Sequence, residues 1–206
     1  MVQKIVLASG NKGKLNEFNH ALSELNVEVI PQAQFDVPDA DETGLSFVEN
    51  AILKARHAAK ITGLPALADD SGLEVDALNG APGIYSARFS GADASDAKNN
   101  ALLLEKLSGL GAEQRSARFR CVLAFMRHEN DPTPLICQGT WDGIILEKAC
   151  GEQGFGYDPL FWVPELNSAS AQLSPTQKNK VSHRGQAVAL LKKTIAPYLA
   201  SIKTSN

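Results

Sequence analysis

The opening of the chain alternates between strand and helix patterns, which restricts the possible folds more than any other feature. Residues 4–8 form a short apolar run typical of a strand, and residues 12–25 carry apolar side chains at helical spacing. Residues 27–30 return to a strand pattern. A strand–loop–helix–strand order is characteristic of an α/β sheet, so we expect an α/β fold.

A second helix is predicted from the signals at its two ends. Ser46 and Glu49 match a capping box, in which a hydroxyl and a carboxylate satisfy backbone donors at a helix start. The helix should run to Ile61 and end at Gly63, since glycine favours the left-handed conformation that closes helices. Residues 65–68 then predict a short strand that ends at an acidic pair.

The middle of the chain is hairpin-like, and the end is helical. Residues 118–126 and 135–139 predict a pair of strands. Residues 143–146 and 160–163 predict two further strands, and residues 184–202 predict one final helix. Helices that alternate with strands early, followed by paired strands, predict a mixed central sheet flanked by helices. We therefore expect the 206 residues to form a single domain with two lobes and an active-site cleft between them.

Composition and charge narrow the functional classes. The net charge is −3 with acidic and basic residues interspersed, whereas a nucleic-acid-binding surface needs a basic stripe. Residues 5–8 are too short for a signal-peptide core, and no apolar run approaches the ~18 residues of a membrane span. The three cysteines are scattered without a CxxC pair, as expected of reduced residues. We therefore expect a cytoplasmic protein that binds neither nucleic acid nor membranes.

Two adjacent carboxylates, Asp69 and Asp70, follow the predicted strand and precede Ser71 and Gly72. Magnesium prefers oxygen ligands and is commonly held by one or two carboxylates, with phosphates and water completing its shell. A pair of carboxylates at the tip of a strand therefore favours a metal site. Because Asp, Ser and Gly are also common in turns, a plain turn is the alternative interpretation.

A phosphate site is predicted where the first strand gives way to the first helix. Unpaired backbone N–H groups and the helix dipole favour an anion at a helix start, and lysines add positive charge. The spacing differs from that of a Walker P-loop, and Leu15 stands where that motif has Ser or Thr. A helix start with solvated lysines is the alternative interpretation. The candidate residues are Ser9, Gly10, Asn11, Lys12, Gly13 and Lys14.

Two further segments are suited to a planar, polar ligand. Phe155 lies among glycines, where an aromatic ring can present a face for stacking, although it could instead turn inward. His183 and Arg184 lie side by side at a predicted helix start, where two cations are unfavourable unless a ligand compensates them. Lys178 lies shortly before them. A structural role for the histidine is the alternative interpretation.

Six short segments of the chain match the motifs of one family in the same order. They are Ser9-Gly10-Asn11-Lys12-Gly13-Lys14, Glu49-Asn50-Ala51 with Lys54-Ala55, Ala68-Asp69-Asp70-Ser71-Gly72-Leu73, Pro82-Gly83-Ile84-Tyr85-Ser86-Ala87-Arg88, Gly154-Phe155-Gly156-Tyr157-Asp158-Pro159 and Ser182-His183-Arg184. Each segment is weak evidence alone, but together they span nearly the whole chain. By these motifs the chain resembles the inosine triphosphate pyrophosphatase family, also called the Ham1-like or non-canonical purine NTP pyrophosphatases, and its bacterial members most closely.

This resemblance implies an elongated mixed α/β sheet, a homodimer and magnesium-dependent hydrolysis of a purine nucleoside triphosphate. The implied substrates are ITP, dITP and XTP, which would be converted to the monophosphate and pyrophosphate so that deaminated purines stay out of nucleic acids. Two alternatives remain open. The first is a nucleotide phosphohydrolase of different specificity, and the second is a non-catalytic nucleotide-binding protein.

The resemblance also implies roles for individual residues. Asp70 would bind magnesium together with Asp41 or Glu42, and Asp70 would orient or deprotonate the attacking water. Lys54 would stabilise the developing charge, while residues 9–14 would hold phosphates. The remaining contacts to the substrate would come from Ser71, Phe155, Gly156, Tyr157, Asp158, Lys178, His183 and Arg184.

Overall fold

The computed structural model describes residues 2–10 and 12–202. None of the helices in these ranges is long and apolar enough to cross a membrane. The α-helices are α1 (Lys12–Leu22), α2 (Phe47–Thr62), α3 (Asp96–Lys106), α4 (Pro175–Val181), α5 (His183–Thr194) and α6 (Ala196–Ala200). The strands are β1 (Gln3–Leu7), β2 (Val27–Pro31), β3 (Ala66–Val75), β4 (Ser116–Met126), β5 (Leu135–Ile145), β6 (Phe161–Val163) and β7 (Ser168–Ala169).

The strands form one sheet in the order β2-β1-β3-β4-β5-β6-β7. β1 runs parallel to both β2 and β3, with Val6 opposite Ala66 in the second pairing. β6 runs antiparallel to β5 and to β7, with Trp162 opposite Ile144 and Ala169. Because both kinds of pairing occur in one sheet with flanking helices, the predicted mixed α/β fold is confirmed.

The chain divides into two compact units. The first unit comprises the described residues up to Asp70, then Val122–Gln138 and the described residues from Ala187 onward. The second unit comprises Ser71–Cys121 and Gly139–Gln186. The unit boundaries fall inside β3, β4, β5 and α5. The predicted single domain with an active-site cleft stays a prediction.

The core of the first unit is built around small side chains on α2. Ala51, Ala55 and Ala58 are fully buried at helical spacing and pack against apolar residues of β1, β3 and β4. The helix begins after Ser46, whose side chain accepts a hydrogen bond from the Glu49 N–H. It ends at Gly63, whose φ of 67° lies in the left-handed region. Both predicted ends of this helix are therefore confirmed.

The core of the second unit is aromatic. Phe119 of β4 and Trp141 of β5 meet Phe161 of β6, with ring centroids 4.6 Å apart for Phe119–Phe161 and 5.3 Å apart for Trp141–Phe161. Leu103 and Leu107 connect α3 and its C-terminal end to the same cluster. Tilted aromatic pairs of this kind add about 0.5–1.5 kcal/mol beyond the apolar area that they bury. The cluster gives the loops of this unit a rigid support.

Two elements late in the chain differ from the prediction. β5 is one strand rather than two, because Gly143 stays in the ladder: a Cβ there would lie 2.5 Å from Phe161 Cζ, so the glycine serves close packing. A single final helix over residues 184–202 is also wrong. α5 ends at Thr194 and α6 begins at Ala196, since Pro197 lacks the N–H donor that a continuous helix would need.

Candidate functional site

The acidic pair lies in the middle of β3, so the prediction that it follows a strand end and opens a turn is wrong. Asp69 accepts a hydrogen bond from Lys14 Nζ, and Asp70 Oδ1 accepts one from Lys54 Nζ at 2.6 Å. Both aspartates are buried. Because each carboxylate has a lysine partner, the backbone can continue in the sheet through two charged residues that would otherwise be too costly to bury.

Lys54 joins two carboxylates that are distant in the sequence. Its ammonium group donates to Glu42 Oε1 at 2.9 Å and to Asp70 Oδ1 at 2.6 Å. Burial acts to lower the pKa of Lys54, but the adjacent Asp70 and Glu42 carboxylates outweigh it and raise that pKa above its ordinary value. Lys54 is therefore a permanent positive charge at neutral pH, as its predicted role requires.

Asp70 has one carboxylate oxygen that is buried without a hydrogen-bond partner among the described residues, namely Oδ2. Burial raises the pKa of Asp70 above its ordinary value, even though Lys54 acts in the opposite direction. An unpartnered buried acceptor is costly, and functional sites are among the places where such atoms persist. This oxygen fits a cation or a polarised water as its natural partner.

A cavity of about 380 Å³ lies in the first unit, and its wall contains three of the six residues predicted to hold phosphate. Ser9, Gly10 and Lys14 line it. Asn11 lies outside the described residues, and the structure describes neither the Lys12 side chain nor the surroundings of Gly13. The other polar residues of the wall are Gln32, Asp39, Glu42, Lys54 and Asp69.

Gln32 and Asp39 were missed by the sequence reasoning. The Gln32 amide donates to Asp39 Oδ1 at 2.9 Å, and both residues line the cavity wall. Asp39 lies in the same acidic stretch as Asp41 and Glu42, and this stretch was a usable signal. Nothing in the pattern around Gln32 distinguishes it from an ordinary polar residue after a strand.

The predicted metal ligands are brought together only in part. Glu42 and Asp70 meet at Lys54, whereas Asp41 is exposed and does not line the cavity. In residues 2–10 and 12–202, no three His, Cys, Asp or Glu side chains are grouped as a metal site. Magnesium often takes only one or two carboxylates, the rest of its shell coming from phosphates and water, so the predicted ligand set stays a prediction.

The glycine-rich loop of the second unit presents Phe155 to the outside. This residue is 61% exposed, so the alternative that its ring turns inward is wrong. Asp158 is only 2% exposed and accepts hydrogen bonds from the Phe155 N–H at 2.9 Å, Lys178 Nζ at 2.5 Å and Ser170 Oγ at 2.8 Å. Lys178 Nζ also lies 5.4 Å from the centroid of the Phe155 ring. Asp158 therefore holds both Phe155 and Lys178 in place.

A glycine is required at position 154 for this arrangement. Gly154 has a φ of 83°, and a Cβ at this position would lie 2.2 Å from Asp158 Oδ2. Both the left-handed backbone and the close carboxylate exclude a side chain. The loop can therefore fold over the buried Asp158 only because residue 154 is glycine.

Two further residues of this loop, Gly156 and Tyr157, form hydrogen bonds to other residues of the second unit. Gly156 N–H donates to Asp96 Oδ2 at 2.6 Å, and its carbonyl accepts from Asn100 Nδ2 at 2.8 Å. The Tyr157 ring is buried, its hydroxyl donates to the Ser86 carbonyl at 2.9 Å, and burial raises its pKa. The Tyr157 side chain thus supports the loop, while its predicted substrate contact stays a prediction.

His183 and Arg184 open α5. The His183 ring is buried and stacks on Phe119, with centroids 4.8 Å apart and an interplanar angle of 15°. Arg184 is partly buried. A Cβ on Gly185 would lie 1.8 Å from the Asn179 carbonyl, so α4 and α5 contact each other through their backbones. The aromatic core thereby fixes the plane of the imidazole.

Ser71 follows Asp70 in β3 and is partly buried. It belongs to the second unit, whereas Asp70 belongs to the first. Its predicted role as a substrate contact stays a prediction.

Comparisons with known proteins extend over almost the whole chain. Residues 5–194 match the Ham1 family. A dITP/XTP pyrophosphatase of Photobacterium profundum is 60% identical over 187 residues, which are 91% of this chain and 95% of that protein. The dITP/XTP pyrophosphatase of Vibrio cholerae serotype O1 is 58% identical over 194 residues, covering 94% of this chain and 97% of that protein. Among solved structures, a HAM1 protein from Coxiella burnetii is similar with a TM-score of 0.91 at 53% identity, covering 95% of this chain and 99% of that one.

Proposed function

Because this chain belongs to the Ham1 family, we propose that it is a pyrophosphatase that hydrolyses the non-canonical purine nucleotides dITP, XTP and ITP. Water would attack the α-phosphorus, the bond between the α-phosphorus and the bridging oxygen would break, and the products would be the nucleoside monophosphate and pyrophosphate. The observation that carries the proposal is the bonding of Lys54 to both Glu42 and Asp70, next to a cavity lined by Lys14.

The cavity of the first unit suits the triphosphate. Lys14 and Lys54 supply positive charge, and the start of α1 lies beside Ser9 and Gly10, where backbone N–H groups favour anions. Among the residues of this cavity region whose side chains the structure describes, four carboxylates, Asp39, Glu42, Asp69 and Asp70, outnumber the two lysines, an excess of two negative charges. That excess favours a cation that arrives with the phosphates.

Magnesium is the cation that fits these residues. Asp70, through its unpartnered Oδ2, and Glu42 would hold it, with Asp41 as the alternative to Glu42. When bound, the ion would neutralise phosphate charge and polarise the phosphoryl group. Asp70 would orient the attacking water and accept its proton. Lys54 would stabilise the negative charge that develops on the phosphate oxygens.

The second unit suits the purine. The exposed Phe155 ring offers a stacking face worth about 1–3 kcal/mol per base. Donors from His183 and Arg184 would pair with the 6-keto oxygen of hypoxanthine or xanthine, and they would be left unpaired opposite the 6-amino group of adenine. Polar pairing of this kind can reject the wrong partner by about 10⁴–10⁵-fold. Lys178, held by Asp158, would add a further donor beside the base.

The wider setting rests on the sequence and on the family resemblance. We propose a cytoplasmic homodimer that removes deaminated purine nucleotides from the nucleotide pool. The interspersed charges and the net charge of −3 support the proposal that the protein binds neither nucleic acid nor membranes.

A substrate panel tests the proposal directly. The purified protein is incubated with dITP, XTP, ITP, GTP and ATP in the presence of Mg²⁺, and pyrophosphate and phosphate are measured separately. We expect rapid pyrophosphate release from dITP, XTP and ITP and much slower release from ATP. Release of phosphate instead of pyrophosphate would contradict attack at the α-phosphorus. Equal rates on all five nucleotides would favour a phosphohydrolase of another specificity.

A further inference from the structure

Three side chains of α2 hold the irregular segment that carries Glu42. His57 Nε2 lies 2.9 Å from the Pro38 carbonyl, Lys54 Nζ lies 2.9 Å from Glu42 Oε1, and Asn50 Oδ1 lies 2.9 Å from the Gly44 N–H nitrogen. Residues 50, 54 and 57 are spaced by four and three positions, so they lie on one face of the helix. We call residues 38–45 the Glu42 segment. Its contacts run in the opposite order to those of α2, so the segment lies along this helix face.

Asn50 is an unusual residue for its position. Asn50 is 0% exposed and directly precedes the buried alanines of α2. At such a buried position an apolar side chain would be the more stable choice. Its Oδ1 accepts the Gly44 N–H, but its Nδ2 is buried and has no hydrogen-bond partner in the described part of the chain. A buried donor without a partner costs stability, so the residue needs an explanation other than packing.

The Glu42 segment approaches α2 through its backbone. A Cβ on Gly44 would lie 2.7 Å from Asn50 Oδ1 and 2.6 Å from Glu49 Cβ, so only glycine permits this contact. The next backbone amide, that of Leu45, donates to Glu49 Oε2 at 2.9 Å. Two successive amides are thus fixed to the helix only two and three residues after Glu42. The path of the backbone therefore determines where the Glu42 carboxylate lies.

We propose that Asn50 is a positioning residue for the pyrophosphatase reaction, because its hydrogen bond to Gly44 keeps the Glu42 carboxylate beside Lys54 and Asp70. This inference rests on the proposed function. Asn50 itself takes no part in the chemistry. Residues that orient metal-binding groups typically change metal affinity or activity by about 10–100-fold when they are replaced, and Asn50 belongs to that class.

The test replaces the two partners of this hydrogen bond separately. Asn50→Ala removes the acceptor, and Gly44→Ala keeps Asn50 but forces the segment away from it. For both variants we expect kcat for dITP to fall by about 10–100-fold and the Mg²⁺ concentration for half-maximal rate to rise by a similar factor. The KM for dITP at saturating Mg²⁺ should change much less.

Asn19→Ala is the matched control. Asn19 also fixes backbone groups, since its amide donates to the Val29 carbonyl at 3.1 Å and accepts from the Val29 N–H at 3.0 Å. These contacts join α1 to β2 and do not involve the Glu42 segment. We expect Asn19→Ala to lower the melting temperature at least as much as Asn50→Ala while leaving the Mg²⁺ dependence unchanged.

A second measurement does not depend on activity. In hydrogen–deuterium exchange of the nucleotide-free protein, the peptide that covers residues 41–46 should exchange faster in Asn50→Ala and Gly44→Ala than in the wild type and Asn19→Ala. Wild-type kcat and Mg²⁺ dependence in Asn50→Ala, or unchanged exchange of this peptide, would overturn the positioning role alone. Absence of pyrophosphate release by the wild-type protein would instead overturn the proposed function.

Discussion

The role of Lys54 depends entirely on its neighbours. On a helix surface a lysine is by default a solvated charge, and the pattern around Lys54 gives no reason to single it out. In the structure its ammonium group bonds two carboxylates, one of them 12 residues before it and the other 16 residues after it. Removing one partner of a desolvated, doubly paired charge costs far more than breaking a surface ion pair, because a buried charge is then left uncompensated. The position of Lys54 beside Asp70 supports a role in catalysis.

Asp70→Asn tests the chemistry at the level of a single functional group. Asn keeps the size of the side chain and an acceptor for Lys54, but it can neither take a proton nor carry the charge. We expect kcat for dITP to fall by about 10²–10⁴-fold, the usual contribution of a general base. Binding of dITP, measured by titration calorimetry, should persist.

The control for this variant is Asp36→Asn. Asp36 belongs to the same unit and has a φ of 51°, a conformation that asparagine adopts readily. It does not line the cavity and should keep the wild-type rate. A wild-type rate in Asp70→Asn would mean that Asp70 takes no part in the reaction. A loss of dITP affinity as large as the loss of turnover would mean that Asp70 only contacts the substrate.

Phe155→Ala tests the purine platform. Loss of the exposed ring should raise the KM for dITP by the equivalent of about 1–3 kcal/mol, with a smaller change in kcat, since stacking does not differ between ground and transition states. Steady-state kinetics measure both constants. Tyr85→Ala is a suitable control, because Tyr85 is another largely exposed aromatic residue of the same unit. A KM that stays at the wild-type value in Phe155→Ala would take this ring out of the site.

At the scale of elements, β3 decides how the acidic pair is used. Consecutive side chains of a strand point to opposite faces, so Asp69 and Asp70 meet lysines from different helices, Lys14 of α1 and Lys54 of α2. The start of this strand was predictable from its apolar run. Its continuation through two carboxylates was not, because only distant lysines make that continuation energetically possible.

The connection between β4 and β5 is stabilised by a buried carboxylate. The Arg127 side chain, with the N–H groups of Arg127 and Thr133, holds the pKa of Asp131 well below its usual range. A pKa lowered by folding means that the stabilisation is complete above the unfolded value of about 3.9 and is lost as the pH falls below it.

Asp131→Asn should therefore lower the free energy of unfolding at pH 7 by about 1.5–3 kcal/mol, the value of hydrogen bonds to a charged group. The difference from the wild type should narrow as the pH is lowered from about 4 toward 2, because in this range the Asp131 carboxyl of the unfolded chain takes up a proton that the folded state does not bind. Urea unfolding at several pH values measures this. Glu105→Gln, a change at an exposed residue of α3, should show no such convergence. A constant difference at all pH values would mean that the Asp131 charge is not the stabilising feature.

At the scale of the whole molecule, a ligand that binds only the folded protein stabilises it. Because carboxylates outnumber lysines around Lys54, we expect Mg²⁺ to bind there and to raise the melting temperature. At a Mg²⁺ concentration of a hundred times its dissociation constant, the free energy of unfolding should increase by about 2.7 kcal/mol. EDTA should abolish dITP hydrolysis, and added Mg²⁺ should restore it. Differential scanning calorimetry at constant ionic strength separates specific binding from screening.

The double variant Glu42→Gln/Asp70→Asn provides the control for this experiment. It removes both carboxylates that bond Lys54 and should lose the Mg²⁺-dependent shift of the melting temperature. A wild-type shift that persists in the double variant would mean that the ion binds elsewhere on the protein.

The sequence by itself determined the α/β class, both ends of α2 and the family of the chain. These features are encoded locally: the Ser46 cap, the Gly63 end and the apolar spacing each satisfy hydrogen bonds or burial within a few residues. Only the tertiary structure decided that β3 continues through Asp69 and Asp70. It also decided that Gln32 lines the cavity and that Asn50 holds the Glu42 segment. The reason is physical, since the energy of a charge or a buried amide depends on partners that only folding brings together.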